Sequence, residues 1–375
     1  MSSRTFLIGI GAAGNKAVIE TVKAGVVAGD DMFLINTTGR DIPESYKQKA
    51  LILDDNGNLG GCGKEPDLGE KRILEAIKSQ KLNLKTMVEP HHTSVTVVAS
   101  AEGGTGCGGA PVIARYVADV LNLPIHLVFF LGFREDGRGL KNSVRMFQQV
   151  RDNFDVQIID NSKFLKEANG NQQVAEQMAN NEFACRLSVL LGNVIVESEQ
   201  NIDDMDLYKV ATTLGFKEVV YRPITEKIKT REQFDAIIKE MMVESKSVDV
   251  ETPTQQRMAA IFNLTESDME NVDVSLKAVK EKYGEPFEYY KHIENTSELP
   301  RFIAFICSGF KIPINIVEEL NEEYIDKSSR VSKEADAYFD KVSSLKALEE
   351  DKRFDSAGAL SRQEGSEDDF FASYK

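Results

Sequence analysis

Glu102-Gly103-Gly104-Thr105-Gly106-Cys107-Gly108 is the stretch of this sequence that decides the fold. It follows the apolar, β-branched segment 94–99 and precedes a helical pattern over 111–121, which predicts a strand, then a loop, then a helix. A loop this rich in glycine can turn its amide hydrogens towards a phosphate, because no Cβ blocks the approach. Pro111 suits the first turn of the following helix, whose positive end would face the same point. Thr105 adds a hydroxyl for a phosphate oxygen or a metal-bound water.

A second glycine-rich loop, Gly9-Ile10-Gly11-Ala12-Ala13-Gly14-Asn15, follows a short predicted strand at the start of the chain. Its G-x-G-x-x-G spacing also occurs in dinucleotide folds, where an acidic residue about twenty positions further on binds the ribose. The next predicted strand, 32–35, ends instead in Asn36-Thr37-Thr38. This ending argues against an NAD-dependent oxidoreductase.

The segment 60–69 is a third candidate loop, with the sequence Gly60-Gly61-Cys62-Gly63-Lys64-Glu65-Pro66-Asp67-Leu68-Gly69. It is not a Walker loop, because Glu65 follows Gly63-Lys64 and Asn58 takes the place of the first glycine. Taken alone, it is equally typical of a surface turn. Two other phosphate-type loops on one sheet suggest a single nucleotide held from two sides, and they favour a similar role for this segment.

Predicted strands and helices alternate through the first half of the chain. Such alternation favours a parallel sheet with helices on both faces and a ligand at the carboxyl ends of the strands, where the glycine-rich loops fall. The predicted fold class is therefore α/β, with a parallel-sheet nucleotide-binding domain joined by a long central helix to a smaller α+β domain. The predicted divisions are the nucleotide-binding domain 1–170, the central helix 171–200, the α+β interface domain 201–312, a long C-terminal helix 313–352 and a disordered acidic tail 353–375.

Together these motifs resemble the tubulin/FtsZ superfamily of GTPases. The run 103–108 is similar to the glycine signature of that superfamily, with Cys107 where serine or threonine is usual. The loop 9–15 is similar to its first loop, although Ala12-Ala13 replace two glycines that are common in FtsZ. The segments 36–38 and 60–69 are similar to its second and third loops. The resemblance covers residues 4–220, and the length and divergent C-terminal half point to the phage and plasmid branch, the TubZ/PhuZ-like proteins.

The resemblance implies a set of GTP-binding residues. Asn161 matches the contact to the guanine edge, because an amide both donates and accepts hydrogen bonds; its alternative role is a helix N-cap. Asn180 or Asn181 on the central helix matches a second contact to the base, and Glu135 one to the ribose, with a charged turn as its alternative. The phosphate-binding residues implied are Gly11, Ala12, Ala13, Asn15, Gly61, Cys62, Gly63, Gly103, Gly104, Thr105, Gly106, Cys107 and Gly108. Mg²⁺ would neutralise the phosphates.

Asn201, Asp203 and Asp206 resemble the catalytic loop of the superfamily, and two carboxylates beside an amide can orient and deprotonate a water. They follow a predicted central helix over 172–196, and a helix of about 25 residues spans roughly 37 Å. They are therefore expected to reach the nucleotide of the next subunit, so that hydrolysis depends on polymer contacts. The alternative is an acidic helix N-terminus in which Asp203 is a cap.

Composition restricts the function further. The net charge of −15 argues against direct DNA binding. The four cysteines are scattered without a C-x-x-C pair, which suits a reducing cytoplasm and predicts neither a disulfide framework nor a metal site. The four histidines are too few and too dispersed to predict a metal cluster, and His91-His92 is expected to form a polar turn. No apolar run is long enough to span a membrane, and the early first strand leaves no room for a signal peptide, so a cytoplasmic protein is expected.

The predicted function is a GTPase that polymerises head to tail into dynamic cytoplasmic filaments. The resemblance further implies a role in positioning or segregating plasmid or phage DNA through a DNA-binding adaptor. The acidic and aromatic tail at 368–374 is typical of a recognition motif for such an adaptor or for a neighbouring subunit, and equally of a solubilising tail. Two alternatives are a nucleotide-binding scaffold filament without turnover and an FtsZ-like division protein. The apolar stripe Val317, Leu320, Tyr324 and Val331 on the last helix is expected to bury against its own domain or a partner groove.

Overall fold

A computed structural model describes residues 4–54, 61–150, 154–195, 202–247, 249 and 255–350, with side chains described up to residue 334. The strands are β1 (Thr5–Ile10), β2 (Met32–Asn36), β3 (Ala50–Ile52), β4 (Ser94–Ser100), β5 (Ile125–Leu131), β6 (Asp155–Asp160), β7 (Gly215–Pro223), β8 (Arg257–Asn263), β9 (Glu288–Glu294) and β10 (Phe302–Phe310). The helices are α1 (Gly11–Lys23), α2 (Pro66–Lys78), α3 (Leu84–Met87), α4 (Gly104–Tyr116), α5 (Gly137–Val150), α6 (Gln172–Leu190), α7 (Asp204–Ala211), α8 (Arg231–Val243), α9 (Glu266–Met269), α10 (Lys277–Tyr283) and α11 (Ile314–Glu350).

All ten of these strands form one sheet, in the order β3-β2-β1-β4-β5-β6-β7-β10-β8-β9. Every pairing is parallel except the two that β10 makes with β7 and β8. The expected parallel sheet and the expected α+β part are thus continuous through the β6–β7 pair. The α/β fold class predicted from the sequence is confirmed.

The strands β1, β5 and β6 are buried along their whole length, as strands of parallel sheets with helical crossovers are. Along β1 the side chains of Phe6, Ile8 and Ile10 belong to one apolar cluster, and that of Leu7 belongs to another on the opposite face. This alternation follows from the two-residue repeat of a strand. Because β1, β4, β5 and β6 pair in parallel, their carboxyl ends meet at one edge of the sheet.

The glycine-rich runs differ from the expected loops. Helix α1 begins at Gly11 directly after β1, and α4 begins at Gly104, so most of the run 103–108 forms the first turns of a helix. Pro111 therefore lies inside α4 and not in its first turn, which corrects the expectation from the sequence. A proline there removes one internal hydrogen bond of the helix.

The central helix is shorter than expected. Helix α6 ends at Leu190, and the chain turns at Gly192 with a φ of +74°, a left-handed conformation that glycine adopts without strain. Its 19 residues correspond to a length of about 28 Å instead of 37 Å. In the region where an α+β domain was predicted, the chain forms the strands β8 and β9 among others.

Helix α11 buries part of its apolar stripe. Leu320 is fully buried, and Val317 and Tyr324 pack against the same apolar cluster. Val331 is 67% exposed, so the stripe does not continue as a buried face to that point. Residues 1–327 form one compact unit and residues 328–375 a second. The domain boundaries at 170, 200 and 312 stay predictions, and the tail at 353–375 lies outside the described residues. Over the described ranges, no helix combines the length and apolar character that crossing a membrane requires.

Candidate functional site

A cavity of about 340 Å³ opens at the carboxyl edge of the parallel strands. We call it the carboxyl-edge cavity. It is lined by Ile10, Gly11, Ala12, Ala13, Lys16, Lys64, Ser100, Glu102, Gly103, Gly104, Thr105, Gly106, Phe130, Gly132, Phe133, Glu135, Asp136, Asn161, Glu176 and Asn180. Its position is the one at which open parallel sheets bind ligands, because the loops that follow neighbouring strands converge there.

The floor of the cavity is made by the N-termini of α1 and α4. The first amides of a helix have no partner within the helix, so two such ends at one cavity favour an anion. Gly11 has a φ of +76°, and a Cβ there would lie 3.5 Å from the backbone nitrogen of Gly106. The glycines thus bring the two helix starts close together. The hydroxyl of Thr105 is paired with that of Thr37 at 3.3 Å, which fixes its position at the floor.

Cys107 and Gly108 lie outside the cavity lining, although the sequence analysis placed them with the phosphate-binding residues. A Cβ on Gly108 would overlap the carbonyl oxygen of Pro66, so this glycine allows α4 to pack closely on α2. The Cys107 thiol is fully buried and donates to the carbonyl oxygen of Asn142 at 3.3 Å. Burial raises its pKa to about 12. Cys107 and Gly108 therefore stabilise the packing of α4, whose N-terminus forms part of the cavity floor.

Asn15, Gly61, Cys62 and Gly63 also lie outside the lining. Asn15 is buried and donates its side-chain amide to the Ile35 carbonyl oxygen at 3.3 Å. A Cβ on Gly104 would lie 2.7 Å from the Cβ of buried Cys62, so this part of the third loop packs against the start of α4. The third loop reaches the cavity through Lys64.

Neither Lys64 nor Asn142, which binds the Lys64 backbone, was predicted from the sequence as a residue of the site. The side-chain amide of Asn142 donates to the carbonyl oxygens of Lys64 and Glu102, both at 3.0 Å. It therefore joins the third loop to the residue before the glycine run. A lysine after Gly63 was a visible signal, whereas Asn142 lies on α5 and is brought there only by the fold.

Glu102 places a partly buried carboxylate at the cavity wall. Burial raises the pKa of Glu102, and hydrogen bonds from the backbone of Arg134 and Gly132 partly oppose that shift. Asp136 lies close by and is paired with Lys64. Burial alone would raise the pKa of Asp136, but the hydrogen bonds from Lys64 and from the Gly139 backbone outweigh burial and lower it.

The loop that carries Glu135 and Asp136 is held by Arg134. The Arg134 guanidinium lies 3.0 Å from an Asp160 carboxylate oxygen and 2.5 Å from one of Glu319 on α11. Arg134 itself has a φ of +60°, a conformation that non-glycine residues adopt rarely. The ion pairs thus fix a turn between the cavity and the last helix.

The far side of the cavity carries the amides expected to contact a base. Asn161 is 8% exposed, and no described group bonds its Oδ1 atom. The N-cap expected as its alternative role is filled by Asp160, whose carboxylate accepts from the Ser162 amide at 2.9 Å. Asn180 on α6 lines the cavity, whereas Asn181 is exposed on the same helix. The Glu135 carboxylate accepts from the Gln172 side chain.

Asp203 and Asp206 lie away from this cavity. The Asp203 carboxylate accepts from the Asp206 amide at 2.7 Å and caps α7, as its alternative role required. The Asp206 carboxylate lies 3.2 Å from Lys209 and, through a hydrogen bond, raises the pKa of that lysine. Asn201 lies outside the described residues.

The helix α7 is at the amino edge of the strands, opposite the cavity. A small void of about 30 Å³ is lined by Ala211 and Thr212 at the end of α7, together with Ile125 and Asp155 at the starts of β5 and β6. Helix α6 connects the two edges, because Asn180 lines the cavity and Leu190 lines the void. One chain therefore does not bring Asp203 and Asp206 to its own cavity.

The chain is similar in sequence and in fold to several known proteins. Residues 4–169 match the Tubulin/FtsZ family, GTPase domain. The chain is 27% identical over 239 residues to the tubulin-like protein CetZ2 of Haloferax volcanii, covering 60% of this chain and 66% of that protein. It is 23% identical over 338 residues to the cell division protein FtsZ 1 of Thermococcus kodakarensis, covering 88% and 87%.

Among solved structures, the GTPγS-form protofilament of TubZ from Bacillus thuringiensis serovar israelensis superimposes with a TM-score of 0.73. The superposition covers 90% of this chain and 94% of that one at 14% identity, which is a likeness of fold. Residues 4–169 are thus similar to the GTPase domain of the Tubulin/FtsZ family. Over 90% of the chain's length the fold resembles that of this tubulin-like protein, as the motifs in the sequence predicted.

Proposed function

We propose that this protein binds GTP in the carboxyl-edge cavity, polymerises head to tail, and hydrolyses GTP across the contact between subunits. The observation that carries the proposal is the division of the site between two edges of one sheet. The cavity at the carboxyl edge is lined by the N-termini of α1 and α4 and by Asn161 and Asn180. The opposite edge carries α7, with Asp203 and Asp206. Stacking one copy on another brings these two halves together.

The cavity suits a nucleoside triphosphate. The N-termini of α1 and α4 offer amides to phosphates. Asn161 has a buried side-chain oxygen without a partner among the described residues, and this atom can accept from the amino or ring N–H groups of guanine. Such an unpaired oxygen costs free energy unless a ligand satisfies it. Phe130 and Phe133 add apolar wall to the cavity.

The charge of the cavity favours a divalent cation together with the nucleotide. Its acidic side chains, Glu102, Glu135, Asp136 and Glu176, outnumber its lysines, Lys16 and Lys64. A triphosphate would add more negative charge, so neutralisation is required. Carboxylate oxygens are ligands that Mg²⁺ prefers, and we assign that role to Glu102 and Asp136.

The chemistry follows from the carboxylates on α7. Asp206 and Asp203 of one subunit orient a water and accept its proton while the neighbouring subunit holds the phosphates. Asp203 also has a structural task, since its carboxylate caps α7. Asparagine caps a helix about as well as aspartate, so Asp203→Asn removes the base and keeps the cap.

The test compares GTP binding, light scattering and phosphate release in three variants. Asp203→Asn and Asp206→Asn are expected to bind GTP and to scatter light like the native protein, with phosphate release about 10²-fold slower. The matched control is Asp204→Asn, because Asp204 is an exposed acid on the same helix turn. It should release phosphate at the native rate.

Three results would contradict the proposal. Normal phosphate release by both Asp203→Asn and Asp206→Asn would remove the catalytic role of α7. Phosphate release per subunit should fall once the protein is too dilute to assemble. If it stays constant on such dilution, each subunit hydrolyses its own GTP. Scattering without any phosphate release in the native protein would favour the scaffold alternative.

The finer role in positioning plasmid or phage DNA rests on the resemblance to TubZ/PhuZ-like proteins. With a net charge of −15, the chain would repel DNA, so an adaptor is required. We assign the adaptor contact to the tail at 353–375, which lies outside the described residues. A gel shift of plasmid DNA by the purified protein alone, at physiological salt, would contradict this role.

A further inference from the structure

Three side chains that the proposed GTPase does not use converge at the amino edge of the sheet. Asp31 ends the turn before β2, and His91 and His92 lie just before β4. The Asp31 Oδ1 atom is 3.3 Å from His91 Nε2 and 3.1 Å from His92 Nε2. The two imidazole rings lie with their centroids 4.0 Å apart and tilted by 37°. The expected polar turn is present, but it meets an acid from a distant part of the chain.

These distances suit a metal ion. Ligand atoms about 2.0–2.2 Å from a tetrahedral Zn²⁺ are about 3.3–3.5 Å from one another. The three ligand atoms all lie within 4.8 Å of one another, so a small closure of the turn completes three corners of a tetrahedron. Two imidazoles and one carboxylate are a ligand set typical of zinc and of related transition metals.

Glu89 supplies the support that metal-bound histidines need. The Nδ1 atom of His91 is 3.3 Å from the Glu89 carboxylate, and the Nδ1 atom of His92 is 3.2 Å from the Glu89 carbonyl oxygen. Histidine ligands usually donate their second N–H to such groups, which leaves Nε2 free for the metal. The Glu89 backbone N–H also lies 2.9 Å from His92 Nδ1 and can donate to it when Nδ1 carries no proton. A metal ion at Nε2 would therefore select the other tautomer, in which Nδ1 carries the proton.

We propose that Asp31, His91 and His92 form a Zn²⁺ site, with Glu89 as the residue that orients both imidazoles. His92 is buried and Asp31 is half-buried, whereas His91 is exposed, so the fourth coordination position is open to water. The ion would join the turn before β2 to the turn before β4. Because β1 lies between these strands, the site would fasten the amino edge of the sheet on both sides of β1.

The experiment measures zinc retained by the full-length chain. The protein is stripped with EDTA, loaded with Zn²⁺, passed through a desalting column and analysed for bound metal, and its melting temperature is recorded with and without zinc. About one tightly held zinc per chain and a higher melting temperature are expected. Loading with Co²⁺ should give the intense visible absorption of a tetrahedral site.

Matched variants locate the ion. Asp31→Asn and His92→Gln should lose the zinc, and Glu89→Gln should weaken binding about 10- to 100-fold while keeping the stoichiometry. Asp30→Asn is the control, because Asp30 is the neighbouring acid and pairs with Lys49 at 2.8 Å. It should retain zinc like the native chain. Asp31→Asn preserves the shape of a half-buried side chain, so it remains informative if His92→Gln fails to fold.

Two outcomes would overturn the site. If the native protein holds no zinc after desalting, the cluster is only a carboxylate with two imidazole donors. Equal retention by Asp31→Asn and the native protein would place the zinc elsewhere, for example among the carboxylates of the carboxyl-edge cavity. Neither result depends on GTP hydrolysis, so the zinc site and the proposed GTPase fail separately.

Discussion

Two adjacent asparagines on α6 have different surroundings. Asn180 is 8% exposed and lines the carboxyl-edge cavity, while Asn181 points to solvent and accepts from the Gln177 side chain at 3.2 Å. Successive residues of a helix are separated by about 100° around its axis, so neighbours cannot share one environment. The structure therefore distinguishes two candidates that the sequence left equivalent.

Asn180→Ala is expected to weaken binding of a fluorescent GTP analogue about tenfold or more. Losing a hydrogen bond at a buried site leaves its partner unsatisfied, which costs about 1–3 kcal/mol, and 1.4 kcal/mol corresponds to a tenfold change in affinity. Asn181→Ala is the matched control and should bind normally. Equal losses in the two variants, measured by fluorescence titration with circular dichroism as a check of folding, would refute the assignment of Asn180.

At the scale of elements, the glycine signature has two separate tasks. Its first members, Gly103 to Gly106, line the cavity. Gly108 and its neighbour Gly109 face α2, where an added Cβ would meet Pro66 or Ile73 at less than ordinary contact distance. Gly69 on α2 has the same role from the other side, because a Cβ there would overlap the Gly104 carbonyl oxygen. The signature therefore encodes helix packing as well as a binding surface.

Gly108→Ala should destabilise the protein by about 1–3 kcal/mol, because a methyl group has to be inserted between two close helix backbones. Gly29→Ala is the control, since a Cβ there lies 3.8 Å from the nearest side-chain atom, an ordinary contact. Its effect should stay within about 0.5 kcal/mol. Urea unfolding followed by circular dichroism measures both. A Gly108→Ala protein as stable as the control would show that α2 and α4 can move apart without cost.

At the scale of the whole molecule, one continuous sheet connects regions that the sequence divided. The strands β6 and β7 pair in parallel, and the unit 1–327 includes both the cavity and the strands β7 to β10. Continuity of the sheet suggests that this unit unfolds cooperatively. The same sheet separates the cavity at its carboxyl edge from α7 at its amino edge, which is the geometry that the proposed head-to-tail filament requires.

The cysteines can test this cooperativity. Cys107 in α4 and Cys307 in β10 are fully buried, and burial raises the pKa of both thiols. Exposed Cys185 should react with an alkylating reagent in the native protein, and the other two only on unfolding. With increasing urea, mass spectrometry of peptides should find Cys107 and Cys307 labelled at the same midpoint. Earlier labelling of Cys307 would instead support an independent domain that begins near residue 201.

The sequence by itself determined the fold class, the position of the cavity and the resemblance to the GTPase domain of the Tubulin/FtsZ family. Glycine spacing after apolar strands is a local signal, and the order of strands and helices restricts the topology strongly. The residues at 11, 103–106 and 161 could therefore be recognised from the sequence as residues of the cavity. The helix boundaries were less accurate, since glycine and proline inside α1 and α4 oppose helix formation locally, and tertiary packing overrides them.

Only the tertiary structure decided which residues meet. Asn142 reaches the third loop from α5. Lys16 and Glu176 reach the cavity from α1 and α6, respectively. Asp31 meets the two histidines from a turn that is far away in sequence. Neighbouring strands in this sheet are often distant in the chain, because parallel pairing requires long crossover connections. The physical reason is the same in each case: a side chain's sequence neighbours fix its secondary structure, whereas its chemical partners come from the elements that the fold packs against it.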